Sequence, residues 1–297
     1  MEHRSFVEYY SSSVSQTDIP SSLITYVDRC LGVIEALAAA STGLPLGVLA
    51  EQLELPKSAT HRLLQALARR GYVEQDSQTQ EYALSLKMAT LAFRFLDARR
   101  LPDIAQRILD ALAASVGEYC RLALVEGEAL VWVARAQGAT QGLRYDPPMG
   151  REVVLHATAT GKAWLATLPE QDALRIVCAR GFETPPGFGP RVVTNVDDFR
   201  RQLDETRERG YALAIEEGEP GTVALAAAFR KSEAENAPVA GTVSIAGPRV
   251  RLGAARIAEI APLLMQATRD LAQRWPLRAR QSQGRAAAHT VAAQRPS

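Results

Sequence analysis

The sequence has few cysteines, few aromatic residues and no surplus of charge. Its 297 residues include three cysteines, four histidines and 6% aromatic residues, and 34 basic side chains face 33 acidic ones. Cys30, Cys120 and Cys178 lie far apart, without a CxxC pair or a nearby histidine doublet, so we expect reduced, mostly buried thiols and no metal site. A net charge of +1 gives the whole chain no attraction to polyanions, so binding to nucleic acid requires a local basic patch.

Long hydrophobic runs are also absent. The N-terminal segment MEHRSFVEYYSSSVSQTDIPSS lacks the apolar core of a signal peptide, and no window approaches the roughly eighteen apolar residues that span a bilayer. We therefore expect a cytoplasmic protein with no membrane partner. With 47% hydrophobic residues the chain can bury a large core, and its length favours two domains.

Both ends of the chain differ from the rest. Residues 1–22 are rich in serine and have no hydrophobic period, and residues 276–297 contain basic side chains but no carboxylate. We expect two flexible tails. Contact of the basic C-terminal tail with DNA phosphates is the alternative to a tail that is merely solvated.

Residues 23–85 have the pattern of three helices followed by a hairpin. Apolar residues recur at helical spacing over residues 26–40 and 46–53, and a third helix is predicted from Ser58, as its cap, to a stop at Gly71. Two short strands flank the polar turn DSQTQ, at residues 72–75 and 81–84. This order predicts a winged helix-turn-helix.

The third helix carries its charge on one side. The segment LPKSATHRLLQALARRGYV, residues 55–73, contains no carboxylate. If Ala59, Leu63 and Leu67 face the core, the opposite side presents Lys57, His61, Arg62, Gln65 and Arg69. An acid-free helix suits the DNA major groove, which is lined by phosphates. The residues expected to read base edges lie near its N-terminal end: Ser58, Thr60, His61 and Arg62. The alternative is a helical module that only dimerises or packs on its neighbour.

The remainder of this module adds little attraction to phosphates. Residues 21–95 hold seven basic and seven acidic side chains, and the turn of the predicted wing has no lysine or arginine. We expect modest affinity for one copy, which a dimer or tetramer would raise by adding half-sites. Residues 86–100 form a further amphipathic helical pattern. It is either a dimer seam or a linker packed on its own chain, and we expect a linker that also contributes to dimerisation.

Residues 101–275 have the pattern of an α+β domain with an antiparallel sheet. Helices are predicted at 101–116, near 170–179, at 196–209 and at about 253–274, and a hairpin turns at Glu126–Glu128. Further strands are predicted near GYALAIEE, TVALAAAFR and AGTVSIAGP. Helices and strands segregated in this order favour the α+β class.

Enzyme-like motifs in this second half fail when they are compared with the chemistry they would need. ATATGKA, residues 157–163, resembles a phosphate-binding loop. Such a loop would require glycine at position 156, which is His156, and Ser or Thr at position 163, which is Ala163. The GFG at residues 187–189 has no third glycine or following helix, so dinucleotide binding lacks support. His156 has no adjacent Ser or Cys nucleophile to activate, which favours a structural or pocket-lining histidine.

Four segments of the chain occur together, in this order, in one family. They are LPKSATHRLLQALARRGYV, EYALSL leading into a helix, GREVVLHATATGKAWLATLP, and ERGYALAIEEGEPGTVALAAAF followed by GTVSIAGPRVRL. Over residues 24–273 the combination resembles the bacterial IclR-type transcriptional regulators, named for the isocitrate lyase regulator. The LHATATGKAWLA element is specific to that family, whereas the helix-turn-helix is shared with many others.

The resemblance implies a winged helix-turn-helix joined by a linker helix to a GAF-like effector domain, in a homodimer or homotetramer. It implies no enzymatic activity and no cofactor. The expected partners are a double-stranded DNA operator and a small-molecule effector, commonly an organic or aromatic acid of a catabolic pathway. The effector alters DNA binding or the recruitment of RNA polymerase, and members include repressors and activators.

The effector site of the family can be followed onto this chain, at Met149, His156, Thr160, Gly161, Ala214, Ala224, Ser244 and Ala246. Backbone amides near Thr160 and Gly161, at the start of a helix, would bind a carboxylate. Three of four polar positions of the family, a frequent Asp, a Cys and one of two Ser, are alanine here. A small ketoacid would lose hydrogen bonds. We predict a bulkier, more apolar or aromatic acid, or a degenerate site.

Two other interpretations of the whole chain remain beside that of a regulator. One is a metabolite-binding or enzymatic domain whose N-terminal module serves only for assembly. The other is a regulator that has lost control by an effector.

Overall fold

The structure, a computed structural model, describes residues 21–40, 42–98, 101–147, 153–232, 234 and 236–275. The chain divides into two compact units between residues 98 and 99, so the helix predicted as a linker belongs to the first unit. Met149 and the two predicted tails lie outside the described residues, except that residues 21 and 22 belong to the first helix and not to a tail.

The first unit is a winged helix-turn-helix, as predicted. Its elements are α1 (Ser21–Ala39), α2 (Leu46–Gln52), α3 (Lys57–Arg69), β1 (Val73–Gln75), β2 (Tyr82–Leu84) and α4 (Lys87–Ala98). The strands pair antiparallel around the polar turn. Leu44, ahead of α2, exchanges two backbone hydrogen bonds of 2.9 Å with Tyr82, which ties the helices to the wing.

Leucine side chains hold α1, α2 and α3 together. Leu49 of α2 and Leu64 of α3 are completely buried, and Val33 of α1 and Tyr82 of β2 complete the same cluster. Each fully buried aliphatic side chain contributes about 1.5–3 kcal/mol of transfer free energy. The core therefore sets the orientation of α3 within this unit.

The second unit places helices on both faces of a five-stranded sheet. Its elements are α5 (Leu101–Val116), β3 (Tyr119–Glu126), β4 (Ala129–Gln137), α6 (Ala159–Leu165), α7 (Glu170–Arg180), α8 (Val196–Arg209), β5 (Ala212–Ile215), β6 (Thr222–Arg230), β7 (Val239–Pro248) and α9 (Ala254–Arg274). The strand order is β4-β3-β7-β6-β5, and all neighbours pair antiparallel. This arrangement confirms the predicted α+β class.

The two faces of the sheet differ in side-chain size. One face packs large aliphatic residues against α5 and α9, as in the cluster that contains Leu122, Leu225 and Ile245. The opposite face, under α6, is built largely from alanines of β5 and β6. Because side chains alternate along a strand, the repeated alanines of ALAI and TVALAAAF line one face.

Two expectations about single residues need comment. Cys30 is half-buried and Cys120 is buried, but Cys178 is exposed on α7, so the prediction of burial is wrong for that thiol. The GFG segment serves packing, since a Cβ on Gly189 would lie 1.9 Å from the carbonyl oxygen of Glu216. Glycine is required there because two stretches of backbone approach closely.

Candidate DNA-contacting helix and effector site

α3 buries one face and exposes the opposite one. Its buried residues are spaced three and four positions apart: Thr60, Leu63, Leu64 and Leu67. The opposite face, a sector of roughly 60° on an ideal helix, carries an exposed row: Ser58, Arg62, Gln65 and Arg69. No carboxylate interrupts this row, so two guanidinium groups stand beside two uncharged hydrogen-bonding side chains.

The start of α3 differs from the prediction. The helix begins at Lys57, with Pro56 at the N-cap position and no side-chain cap, so Ser58 lies inside the first turn. Thr60 is 0% exposed, and its hydroxyl donates a 3.3 Å hydrogen bond to the carbonyl oxygen of Pro56. A base contact by Thr60 is therefore ruled out by burial, and Ala59, predicted to face the core, is only half-buried.

The other predicted contact residues lie beside the exposed row. Lys57 is exposed at the first position of α3, and His61 is half-buried at its edge. The wing presents a carboxylate instead: Asp76 accepts hydrogen bonds from the amides of Gln78 and Thr79, and these bonds lower the pKa of Asp76. The wing thus adds no positive charge to that of α3.

α4 is tied to the C-terminal end of α3 and exposes apolar side chains. Lys87 donates a hydrogen bond to the carbonyl oxygen of Arg70, and its ammonium lies 4.5 Å from the centroid of the Tyr72 ring. Phe93 of α4 is 66% exposed within this chain, and Leu86, immediately before α4, is 83% exposed. Exposed apolar surface of this kind is typical of a helix that packs on another surface.

The start of α6 binds its own chain where an effector carboxylate was predicted. The amide of Gly161 donates a 3.1 Å hydrogen bond to the hydroxyl of Thr158, which caps the helix. A Cβ on Gly161 would lie 2.2 Å from the carbonyl oxygen of Leu155. The cap already uses this amide, and Gly161 serves close packing; binding of a carboxylate by the amides near Thr160 and Gly161 stays a prediction. Thr160 is buried next to Gly161.

The four sheet positions predicted for the effector site come together. Ala214 of β5 pairs with Ala224 of β6, and Ala224 pairs in turn with Ala246 of β7. Ser244 lies two residues away on β7, on the same face of the sheet. α6 packs over these three strands. The structure thus assembles a surface of small side chains with one hydroxyl.

His156 lies in the segment that precedes α6. It is buried, and its ring meets Phe182 edge to face at a centroid distance of 5.2 Å. Burial lowers the pKa of His156 from its ordinary value. Its Nε2 has no hydrogen-bond partner among the residues that the structure describes.

Sequence reasoning missed an ion pair beneath α6. Lys162 is 0% exposed, and its Nζ lies 2.8 and 2.9 Å from the carboxylate oxygens of Glu217 and 2.7 Å from Oε1 of Gln202. Burial lowers the pKa of Lys162 and raises the pKa of Glu217, and the attraction between them opposes both shifts. The lysine of ATATGKA is therefore committed to Glu217 and not available to a phosphate. The two partners are 55 positions apart in the sequence, so no local pattern predicts the pair.

Two other kinds of site were searched in the described part of the chain. It contains no group of three His, Cys, Asp or Glu residues arranged to hold a metal ion. None of its helices is both long enough and apolar enough to cross a bilayer.

Two family models match the chain. The model of the IclR helix-turn-helix domain matches residues 26–77, and that of the C-terminal domain of the bacterial transcriptional regulator IclR matches residues 93–273. A curated relative, the HTH-type transcriptional regulator BhcR of Paracoccus denitrificans, is 31% identical over 248 residues, which are 84% of this chain and 86% of that protein. These matches confirm that the protein is a transcriptional regulator and not an enzyme.

Solved structures share the fold of both units. An IclR transcriptional regulator from Alicyclobacillus acidocaldarius matches with a TM-score of 0.71 at 22% identity, covering 84% of this chain and 97% of that one. An IclR homologue from Microbacterium hydrocarbonoxydans, solved in complex with 4-hydroxybenzoate, matches with a TM-score of 0.67 at 21% identity, covering 83% of this chain and 98% of that one.

Proposed function

Because this chain belongs to the IclR family of bacterial transcriptional regulators, we propose that it binds a specific operator through α3 and responds to an organic or aromatic acid in its second unit. The observation that carries the DNA part is the exposed, acid-free row on α3: Ser58, Arg62, Gln65 and Arg69. Arginine and glutamine are the side chains that pair with guanine and adenine edges in the major groove. Lys57 and His61 flank the row and supply contacts to phosphates.

The chemistry of the sheet face supports an effector with a sizeable apolar part. Ala214, Ala224 and Ala246 replace hydrogen-bonding side chains of the family with methyl groups, which leaves Ser244 as the hydroxyl on this surface. The Microbacterium hydrocarbonoxydans homologue was solved with 4-hydroxybenzoate. An aromatic acid of that class would bury its ring on the alanines at little cost in lost hydrogen bonds.

Calorimetry with small ketoacids tests this choice. We expect glyoxylate and pyruvate to bind weakly, with Kd above about 1 mM. These polar molecules give up hydrogen bonds to water when they bind, and the alanine side chains offer none in return. Restoring one polar group, as in Ala214→Asp or Ala246→Ser, is expected to leave aromatic-acid binding no tighter than in the wild type. Tight glyoxylate or pyruvate binding by the wild-type protein would contradict the proposal.

The exposed apolar side chains on α4 support self-association. A homodimer would bury them and bring two copies of α3 onto two half-sites, and pairing of dimers would give a tetramer. The family suggests RNA polymerase as a further partner, which the regulator would recruit. An operator with two related half-sites is the expected consequence of a two-fold assembly.

Arg62→Ala tests the DNA contact. We expect it to weaken binding to the selected operator by about 1–3 kcal/mol, a roughly 5- to 150-fold loss, because Arg62 belongs to the exposed row and lies about one turn after Ser58 in the N-terminal half of α3. The operator is first obtained by selecting bound duplexes from a random-sequence DNA pool. Affinities are then measured at one fixed salt concentration, since phosphate contacts depend on salt.

Arg70→Ala is the matched control for that experiment. Arg70 is also exposed and follows α3 directly, but it lies off the exposed row, so its loss removes the same charge without a base contact. Operator affinity is expected to change less than for Arg62→Ala. If nothing is enriched by the wild type, or if Arg62→Ala enriches the same motif equally well, α3 is not the recognition helix. A metabolite-binding protein whose first unit serves only for assembly would then be the better description.

A further inference from the structure

Arg121 of β3 stands on the alanine-rich face of the sheet between two aromatic rings. Its guanidinium carbon lies 3.8 Å from the centroid of the Trp132 ring and 5.5 Å from that of Tyr119. A guanidinium stacked on a ring still has its N–H donors free, because all five lie in the plane of the group. This arrangement holds the cation in place and leaves its donor edge available.

The donors of Arg121 have no partner in the part of the chain that the structure describes. Arg121 forms no ion pair or hydrogen bond there, and its Nε is buried without an acceptor. The hydroxyl of neighbouring Tyr119 is also buried without a partner. Buried polar groups in native proteins are nearly always hydrogen-bonded, so two unsatisfied groups side by side require an explanation.

The electrostatic surroundings keep this arginine positively charged. Burial lowers the pKa of Arg121, while Tyr145, Tyr119 and Glu219 act in the opposite direction. Glu219 is near enough to favour the cation but forms no ion pair with it. An arginine remains protonated at any physiological pH, so the site holds a positive charge whose donor edge is not used by a carboxylate of the described chain.

The strand register places Arg121 and Tyr119 beside the predicted effector positions. Tyr119 pairs with Ala246, which pairs with Ala224, and Arg121 pairs with Ser244. Neighbouring strands lie about 4.8 Å apart, so the distance from β3 across β7 to β6 is about 10 Å. A benzoate is shorter than this distance, so a carboxylate bound at β3 would place its ring next to β7, the strand that carries Ser244 and Ala246.

We propose that Arg121 is the anchor for the carboxylate of an aromatic acid effector bound beside Ser244 and Ala246 of β7. The inference rests on the proposed effector function and moves the anion from the start of α6, where Thr158 already occupies the Gly161 amide, to the donor edge of Arg121. The Tyr119 hydroxyl donates a second hydrogen bond to the same carboxylate. The other explanation of Arg121 is a purely structural stack on Trp132, which requires no ligand.

Calorimetry of the full-length protein distinguishes these explanations. The probes are benzoate, 4-hydroxybenzoate and benzamide, a neutral analogue of the same shape as benzoate. We expect the wild type to bind at least one acid, and benzamide at least about tenfold more weakly, because charge-assisted hydrogen bonds are the stronger ones. Arg121→Gln is expected to lose at least about tenfold in affinity for the acid and to lose its preference for acid over amide.

Two further variants keep the test independent of folding. Arg121→Lys retains the charge and the stem but not the planar fork, and is expected to bind the acid several-fold more weakly than the wild type while still preferring it to benzamide. Arg230→Gln is the matched control on β6, where the guanidinium of Arg230 donates a 2.7 Å hydrogen bond to the carbonyl oxygen of Ala237. It is expected to bind the acid like the wild type.

Several results would overturn the assignment of Arg121. They are undiminished binding of the acid by both Arg121→Gln and Arg121→Lys, equal binding of benzamide and benzoate by the wild type, and no binding of either acid by the wild type. Operator binding without acid is measured in parallel, and all three variants are expected to match the wild type. Failure of the wild type to bind any operator would refute the regulator proposal, whatever the acid-binding result.

Discussion

Lys162→Met is expected to lower the free energy of unfolding by about 3–5 kcal/mol at neutral pH, because it leaves a buried carboxylate without its counter-ion. Glu217 is 4% exposed and accepts two hydrogen bonds from the lysine. The pair joins α6 to the segment after β5, and Gln202 connects it to α8. Its loss thus loosens three elements that cover the alanine-rich face. Chemical denaturation followed by circular dichroism measures the effect.

The same variant has a predictable pH dependence. Burial raises the pKa of Glu217 above its ordinary value of 4.5, and the positive charge of Lys162 opposes this rise. Without Lys162 we therefore expect the pKa of Glu217 to be higher than in the wild type. The folded state then takes up a proton that the unfolded state has released, so stability falls as the pH rises through this raised pKa. The loss caused by Lys162→Met is therefore expected to be smaller near pH 4.5 than at neutral pH.

Two control variants separate the effect of a buried unpaired charge from the effect of losing an ion pair. Arg200→Met breaks an ion pair with Glu170 whose side chains are 41% and 44% exposed, and exposed pairs contribute about 0–1 kcal/mol. The double variant Lys162→Met/Glu217→Leu removes both charges and is expected to recover most of the stability. If the free energy of unfolding of Lys162→Met lies within about 1 kcal/mol of that of the wild type, the ion pair does not contribute to stability as expected.

Gly161→Ala is expected to lower the free energy of unfolding by about 3 kcal/mol, at the upper end of the range for overpacking. The added Cβ would lie 2.2 Å from the carbonyl oxygen and 2.4 Å from the Cα of Leu155. Both are backbone atoms, so no side-chain rotation relieves the clash. The amide of Gly161 would shift away from the Thr158 hydroxyl, and the cap of α6 would weaken as well.

Gly253→Ala is the matched control. Gly253 is also at a helix start, preceding α9, its φ is −77°, and a Cβ there would have no neighbour within 4 Å. Its substitution is expected to cost less than about 1 kcal/mol. Equal melting curves for Gly161→Ala and the wild type would mean that α6 and the Leu155 segment separate readily, contrary to the close packing seen here.

Several elements were predictable because their signals are local. The helix predicted at 196–209 is confirmed as α8 at the same bounds, since Asn195 caps its first turn and Gly210, at φ +77°, ends it. The wing strands are each confirmed to within one residue. α1 begins at Ser21 instead of Tyr26, because its first five residues, SSLIT, are too few to show a helical period from which a start can be predicted.

Errors within α3 have a different origin. The leucine period correctly predicts a buried face, but rotation of that face by about one position decides whether Thr60 or Ala59 is interior. Thr60 is polar and was assigned to the DNA side, yet its hydroxyl is satisfied by Pro56 within the core. Only the packing of α3 on α1 and α2 determines that rotation.

The sequence by itself determined the order of the elements, the acid-free character of α3 and the family, because each depends on residues that are neighbours along the chain. Tertiary structure alone decided that Lys162 meets Glu217, that Thr158 occupies the Gly161 amide, and that Arg121 lies beside Ser244 and Trp132. These contacts depend on strand register and helix packing between distant segments. A shift of one residue in register would turn Arg121 to the opposite face of the sheet.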